Sequence, residues 1–230
     1  MSPIPPVNRQ FLVSFILVLA TLGSGASWLR AQDAPARPAA TNALPAFSLK
    51  AVREGPEAFG PIQRAYVTLG TNRAAFLIPR GYEVHTDLQR WRVTFTAQEG
   101  RATVAVQFYS PPQTAQGQAA SPATKRELKP ESCLPIILQR HPNAKVTEQF
   151  TATASGVAGP GFDLNLPGVT GVGPRHRFVF LPALTGLVEF QASGDDASIE
   201  EARSALNSIL LTFKVAENGK LDIAPISDKI

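Results

Sequence analysis

The sequence predicts an α+β domain in which helices from separate points in the chain cover an antiparallel sheet. Three observations carry this expectation. Short apolar runs of period two, punctuated by glycine, proline and asparagine, fill most of residues 66–192. A short helical segment interrupts them near Ser132, and a longer one with a continuous apolar stripe follows Ser198. The composition of the 230 residues, 44% hydrophobic and 17% charged, excludes a disordered chain and a multi-span membrane protein.

The N-terminus is set apart from the fold. Arg9 and the N-terminal amine precede the apolar run Phe11–Ala20, and Gly23-Ser24-Gly25-Ala26 follows. That positive, apolar, small-residue order predicts a signal peptide over residues 1–26, cut after Ala26, with a second candidate site after Ala31. An uncleaved anchor is the alternative, because no charge falls between Phe11 and Leu29 and that length spans a bilayer. The Gly/Ser/Ala-rich second half favours cleavage. No cysteine lies nearby to carry a lipid, so the predicted product is a secreted or periplasmic protein.

Residues 27–65 read as an Ala/Pro-rich linker, whose residues 32–46 are too poor in large apolar side chains to repay ordering, followed by a transitional segment, 47–65, to which the pattern assigns no element. Residues 66–215 form the expected domain, and 216–230 a polar tail in which Leu221, Ile223 and Ile226 dock weakly. Within the domain, Tyr66–Leu69 and Ala75–Ile78 flank the turn Gly70-Thr71-Asn72 and predict a hairpin. Trp91, Val93 and Phe95 alternate with Arg92, Thr94 and Thr96, and Glu99-Gly100 turns into Thr103–Tyr109, a second hairpin with one buried face. A long polar loop, 110–123, leads to a short helix from Ser132 to Arg140, with Ser132 as its cap and Leu134, Ile137 and Leu138 as its apolar face. Strands follow over Lys145–Ala154, Phe162–Leu166, Arg175–Leu181 and Leu187–Ala192. In the last helix Ile199, Ala202, Leu206, Ile209, Leu210 and Phe213 make one stripe. Ser198 with Glu201 matches a capping box, which explains Asp195 and Asp196 better than a carboxylate pair doing acid–base work.

Few residues point to chemistry. Cleavage removes Arg9 and no acid, so the net charge of +4 falls by one, and no basic run exceeds Lys125-Arg126. Nucleic-acid binding needs clustered cations and is not expected. His85, His141 and His176 stand apart with no metal-ligand spacing, so neither a metal nor a cofactor is predicted. The lone Cys133, at a helix start, is a candidate nucleophile if the fold brings His141 or His176 to it; the plainer reading is a small, half-buried side chain. The glycine clusters at 156–161 and 168–173 lack the Lys-Ser/Thr of a phosphate loop and read as turns between strands. Arg175 and Arg177 share one strand face and His176 the other, a solvated face rather than an anion site.

The segment Phe76-Leu77-Ile78-Pro79-Arg80-Gly81-Tyr82, the strand Leu187–Phe190 and the helix end Ile209-Leu210-Leu211-Thr212-Phe213 together resemble PsbP-like domains. That resemblance implies an α/β/α sandwich with a central antiparallel sheet and a long C-terminal helix. It also implies accessory or partner-binding roles rather than catalysis, and it transfers no binding residue. The expected function is therefore an exported, non-catalytic domain that binds a protein or envelope component through the loops at 110–123, 156–161 and 167–174. Two alternatives stand beside it. An exported hydrolase would need an exposed Cys133 within hydrogen-bond reach of His141 or His176. A small-ligand carrier would need an apolar cavity between sheet and helix.

Overall fold

Residues 46–55, 62–109, 128–168, 171–183, 186–216, 221 and 223 are described by a computed structural model. In chain order the strands are β1 (Phe47–Glu54), β2 (Ile62–Leu69), β3 (Asn72–Ile78), β4 (Tyr82–Asp87), β5 (Arg92–Ala97) and β6 (Thr103–Tyr109). Helix α1 (Pro130–Arg140) comes next, followed by β7 (Lys145–Ala154), β8 (Val157–Gly168), β9 (Gly171–Ala183) and β10 (Gly186–Gly194). Helix α2 (Ile199–Thr212) and the short β11 (Lys214–Ala216) close the order. The strands form two antiparallel sheets, one ordered β1-β2-β3-β11 and the other β4-β5-β6-β10-β9-β8-β7.

Side-chain alternation decides how these layers stack. Val93 and Phe95 of β5, Val104 and Val106 of β6, and Val188 and Phe190 of β10 point to one side of the larger sheet and are buried. They meet Ala65, Val67, Ala74 and Phe76 of the smaller sheet, together with Ala202, Leu206 and Ile209 of α2, in one continuous core. Phe76 meets Phe95 edge-on at 5.8 Å, and Phe190 meets Phe213 edge-on at 5.0 Å. Each fully buried aromatic of this kind contributes about 1.5–3 kcal/mol through area alone. The opposite side of the larger sheet carries a smaller core, where Cys133 and Ile137 of α1 rest on Phe162, Leu164, Phe178 and Phe180.

The architecture is thus dominated by sheets, not the α/β/α sandwich that the resemblance implies. A second sheet covers much of the face expected to lie under a long C-terminal helix, and α2 has 14 residues. The reason lies in the stretch expected to be transitional. Residues 47–54 form β1 and pair along their whole length with 62–69. In β1 Phe47 and Leu49 face the core among Lys50, Arg53 and Glu54, a pattern too sparse to announce a strand.

Three local expectations are also revised. Helix α1 starts at Pro130 after Lys129, and the amide of Ser132 already bonds the Lys129 carbonyl, so Ser132 lies inside the first turn. A proline in the first turn costs no hydrogen bond, which is why the helix begins there. Ser198 precedes α2 without the capping-box bond, and Asp195 instead accepts from the Ser198 and Ala197 amides at 2.9 and 3.1 Å. The cluster 156–161 is not a loop: Ser155 and Gly156 make the turn at φ 52° and 75°, and Val157–Gly161 lies within β8. A Cβ on Gly161 would run into the ring of Phe150, its cross-strand partner, and one on Gly159 into the Phe180 carbonyl oxygen. These glycines serve close approach rather than turning. The loop at 110–123 and residues 169–170 lie outside the described residues.

Candidate functional site

Two places concentrate polar chemistry, and both belong to the larger sheet. The first lies beneath α1. In β10 the residues that alternate with Val188 and Phe190 are Glu189 and Gln191, so an acid and an amide face the smaller core. Glu189 is only 1% exposed. It accepts hydrogen bonds from the Tyr109 hydroxyl at 2.8 Å and from both terminal nitrogens of Arg140 at 2.9 and 2.7 Å. A buried carboxylate is costly unless its lone pairs are filled, and this forked guanidinium with a phenol fills them. Burial and the Glu189 charge push the Tyr109 hydroxyl well above its usual range. Arg140, in the last turn of α1, also lies over the Phe178 ring at 5.5 Å.

A second chain of bonds runs beside this one. Arg92 donates to the Gln191 carbonyl oxygen at 3.0 Å, and the Gln191 amide nitrogen lies 3.0 Å from His176 Nδ1. His176 stacks on Phe178 at 5.9 Å, and its Nε2 is buried without a hydrogen-bond partner among the described residues. The His141 ring lies 5.2 Å from it. Burial first, then His141 and Arg140, push His176 down to about 4. Burial and Arg140 also lower His141, with Glu189 opposing.

The structure therefore sets Cys133, His141 and His176 on the same side of the sheet, but not as a nucleophile pair. Cys133 is fully buried, and its thiol is pushed up to about 11 by burial and the Glu189 charge. A thiol held protonated and covered is a packing residue. Among the described residues no group of three or more His, Cys, Asp or Glu side chains is placed to hold a metal. His85 is exposed beside Glu83 at 3.9 Å. Arg175 pairs with Asp196 at 2.6 Å, and Arg177 and Arg203 both pair with Asp163, at 2.7 and 2.9 Å, so their own acids occupy these cations. Glu189, Gln191, Tyr109 and Arg140 form no motif in the sequence. The signal available was an acid between two large apolar residues in a strand, Val188-Glu189-Phe190.

The second place is an edge. Among the described residues the two sheets end in β1 and β11, and in β4 and β7. β1 carries Lys50, Arg53 and Glu54, β4 carries Glu83, His85 and Asp87, and β11 has three residues. Charges and brevity are the usual protections of a sheet edge. The ten-residue β7 has Lys145, Glu148 and an irregularity between Val146 and Glu148, but Gln149–Ala154 then runs without a charge or a proline. Gln149, Thr151 and Thr153 in that run are exposed. A depression of about 360 Å³, lined by Tyr66, Val67, Thr68, Arg73 and Leu221, lies on the smaller sheet and not between a sheet and a helix.

No protein-family model and no curated protein matches the chain. The chain is loosely similar to several solved structures. Cyanobacterial PsbP (CyanoP) from Synechocystis sp. PCC 6803 is 11% identical with a TM-score of 0.40, over 80% of this chain and 100% of that one. LpqN of Mycobacterium tuberculosis, described as involved in cell envelope biogenesis, is 11% identical with a TM-score of 0.40, over 73% and 91%. A Pseudomonas aeruginosa protein of unknown function, described as a putative regulator, is 13% identical with a TM-score of 0.35, over 58% and 85%. Among the described residues no helix is long and apolar enough to cross a membrane.

Proposed function

We propose that this is an exported, non-catalytic PsbP-like domain that binds a protein partner of the cell envelope by adding an extended segment of that partner to the free edge of β7. The observation that carries the reading is the uncharged edge Gln149–Ala154, where the other sheet edges among the described residues are short or charged. Such an edge presents backbone N–H and C=O groups in strand geometry, and an extended peptide satisfies them while its alternate side chains give selectivity. Export rests on the signal-peptide pattern of residues 1–26, which lies outside the described residues. The family likeness rests on the segments around Phe76 and Phe213, whose rings lie 6.1 Å apart within the core. The buried, protonated thiol of Cys133 weighs against the hydrolase alternative.

The test is affinity capture from the native envelope fraction with the wild-type chain and with a Thr151→Lys/Thr153→Lys variant. Both positions are exposed, so the lysines block the edge without entering the core. We expect one stoichiometric partner with the wild type and its loss with the variant, at unchanged melting temperature. Equal recovery with both chains would exclude this edge as the docking site.

A further inference from the structure

Helix α1 is held on the sheet by a small apolar face and by one polar tie at its last turn. Its fully buried side chains are Cys133 and Ile137, and its last turn is tied down by Arg140 on Glu189. The neighbouring bonds fix the protonation state of His176. Arg92 donates to the Gln191 carbonyl oxygen, which orients the amide so that its NH2 donates to His176 Nδ1. The ring proton of the neutral histidine therefore sits on Nε2, the nitrogen buried without a partner. A second proton would have to go on Nδ1, against the amide NH2. Turning the amide to accept it would break the bond from Arg92.

The other groups around His176 make that proton less welcome still. Arg140 faces it from the end of α1 and His141 from just after it, Gln191 from β10, Leu164 from β8 and Phe178 from its own strand. The acid on this side, Glu189, is already held by Arg140 and Tyr109. Arg175 and Arg177 flank His176 in sequence but pair with Asp196 and Asp163 instead.

We propose that α1 is an acid-released latch: a proton on His176 unseats the helix and uncovers Phe162, Phe178 and Phe180 while the two-sheet core stays folded. The sign follows from linkage. The seated state holds His176 at about 4, against an ordinary value of 6.5, so the released state binds the proton more tightly between those limits. The ratio of released to seated helix then rises about tenfold for each pH unit of acidification across that window.

Cys133 is the chain's lone cysteine and lies on the buried face of α1, so it reports the release directly. The experiment follows its labelling in the full chain by dithiodipyridine, a thiol reagent active in acid, from about pH 7 to about pH 4. Rates are normalised to an unstructured cysteine peptide, and far-ultraviolet circular dichroism monitors the sheets. We expect labelling to accelerate about tenfold per pH unit with the sheet signal retained, and to lose most of that slope in a His176→Phe variant, the remainder coming from His141. Labelling that ignores pH, or that keeps its full pH dependence in His176→Phe, would overturn the proposal. If that variant does not fold, the His176 ring resonances of the wild type decide. Titration of the ring coincident with Cys133 exposure supports the latch, and titration with Cys133 still protected refutes it.

Discussion

The two faces of the seven-stranded sheet are made by the same strands and are held in different ways. Toward the smaller sheet, β10 presents Val188, Phe190 and Ala192, all buried; toward α1 it presents Glu189 and Gln191. The first face is closed by a second sheet and by an α2 that buries six residues, whereas α1 buries two. Apolar burial is insensitive to pH and without strict direction. A buried network of charges and amides depends on every partner's protonation and orientation. One pleated strand can therefore put unconditional stability on one side and conditional attachment on the other.

Removing one side chain from each face tests that division. Phe190→Ala should have the larger effect, about 3–5 kcal/mol, because it leaves a cavity where Phe190 meets Phe213. Chemical denaturation should show this as a lower midpoint for the whole domain. Glu189→Ala removes the acid shared by Arg140 and Tyr109 and leaves both unpaired. Breaking a fully buried pair costs about 3–5 kcal/mol, but the Arg140 side chain is 33% exposed and water recovers part of it, which reduces the cost to about 1–3 kcal/mol. Its signature should be local, with Cys133 labelled at neutral pH and the global midpoint little changed. If Glu189→Ala lowered the midpoint as far as Phe190→Ala does, the two faces would form one cooperative unit and the division would fail.

The inward face was the more legible of the two in the sequence, for a physical reason. Phe76, Phe95, Phe190 and the α2 stripe repeat with the period of their element, and all are buried. β1 was missed because Phe47 and Leu49 are too few to set a period, and its pairing with β2 is a long-range fact. Glycines 159 and 161 were mistaken for turn residues, because a glycine needed for close approach and one needed for positive φ look alike in sequence. The polar network was hidden because Tyr109, Arg140, His176 and Glu189 lie on four separate elements, and only strand order brings them together.

The smallest effect should come from the start of α2, and it bears on where acid sensitivity resides. Asp195 accepts bonds from the Ser198 hydroxyl at 2.7 Å and from the Ser198 and Ala197 amides, and these bonds hold its carboxyl below the ordinary value of 3.8. A carboxyl with a lowered folded value contributes stability above its unfolded value and loses it as pH falls through the folded one. Asp195→Ala should therefore lower the urea midpoint slightly and by a constant amount from neutral pH down to the ordinary carboxylate range. Below that range the gap between the two proteins should close. In the higher window, where His176 governs α1, the two should respond to acid in parallel. A gap that already narrowed there would move part of the acid response to α2, and the larger core would no longer be the pH-independent half of the molecule.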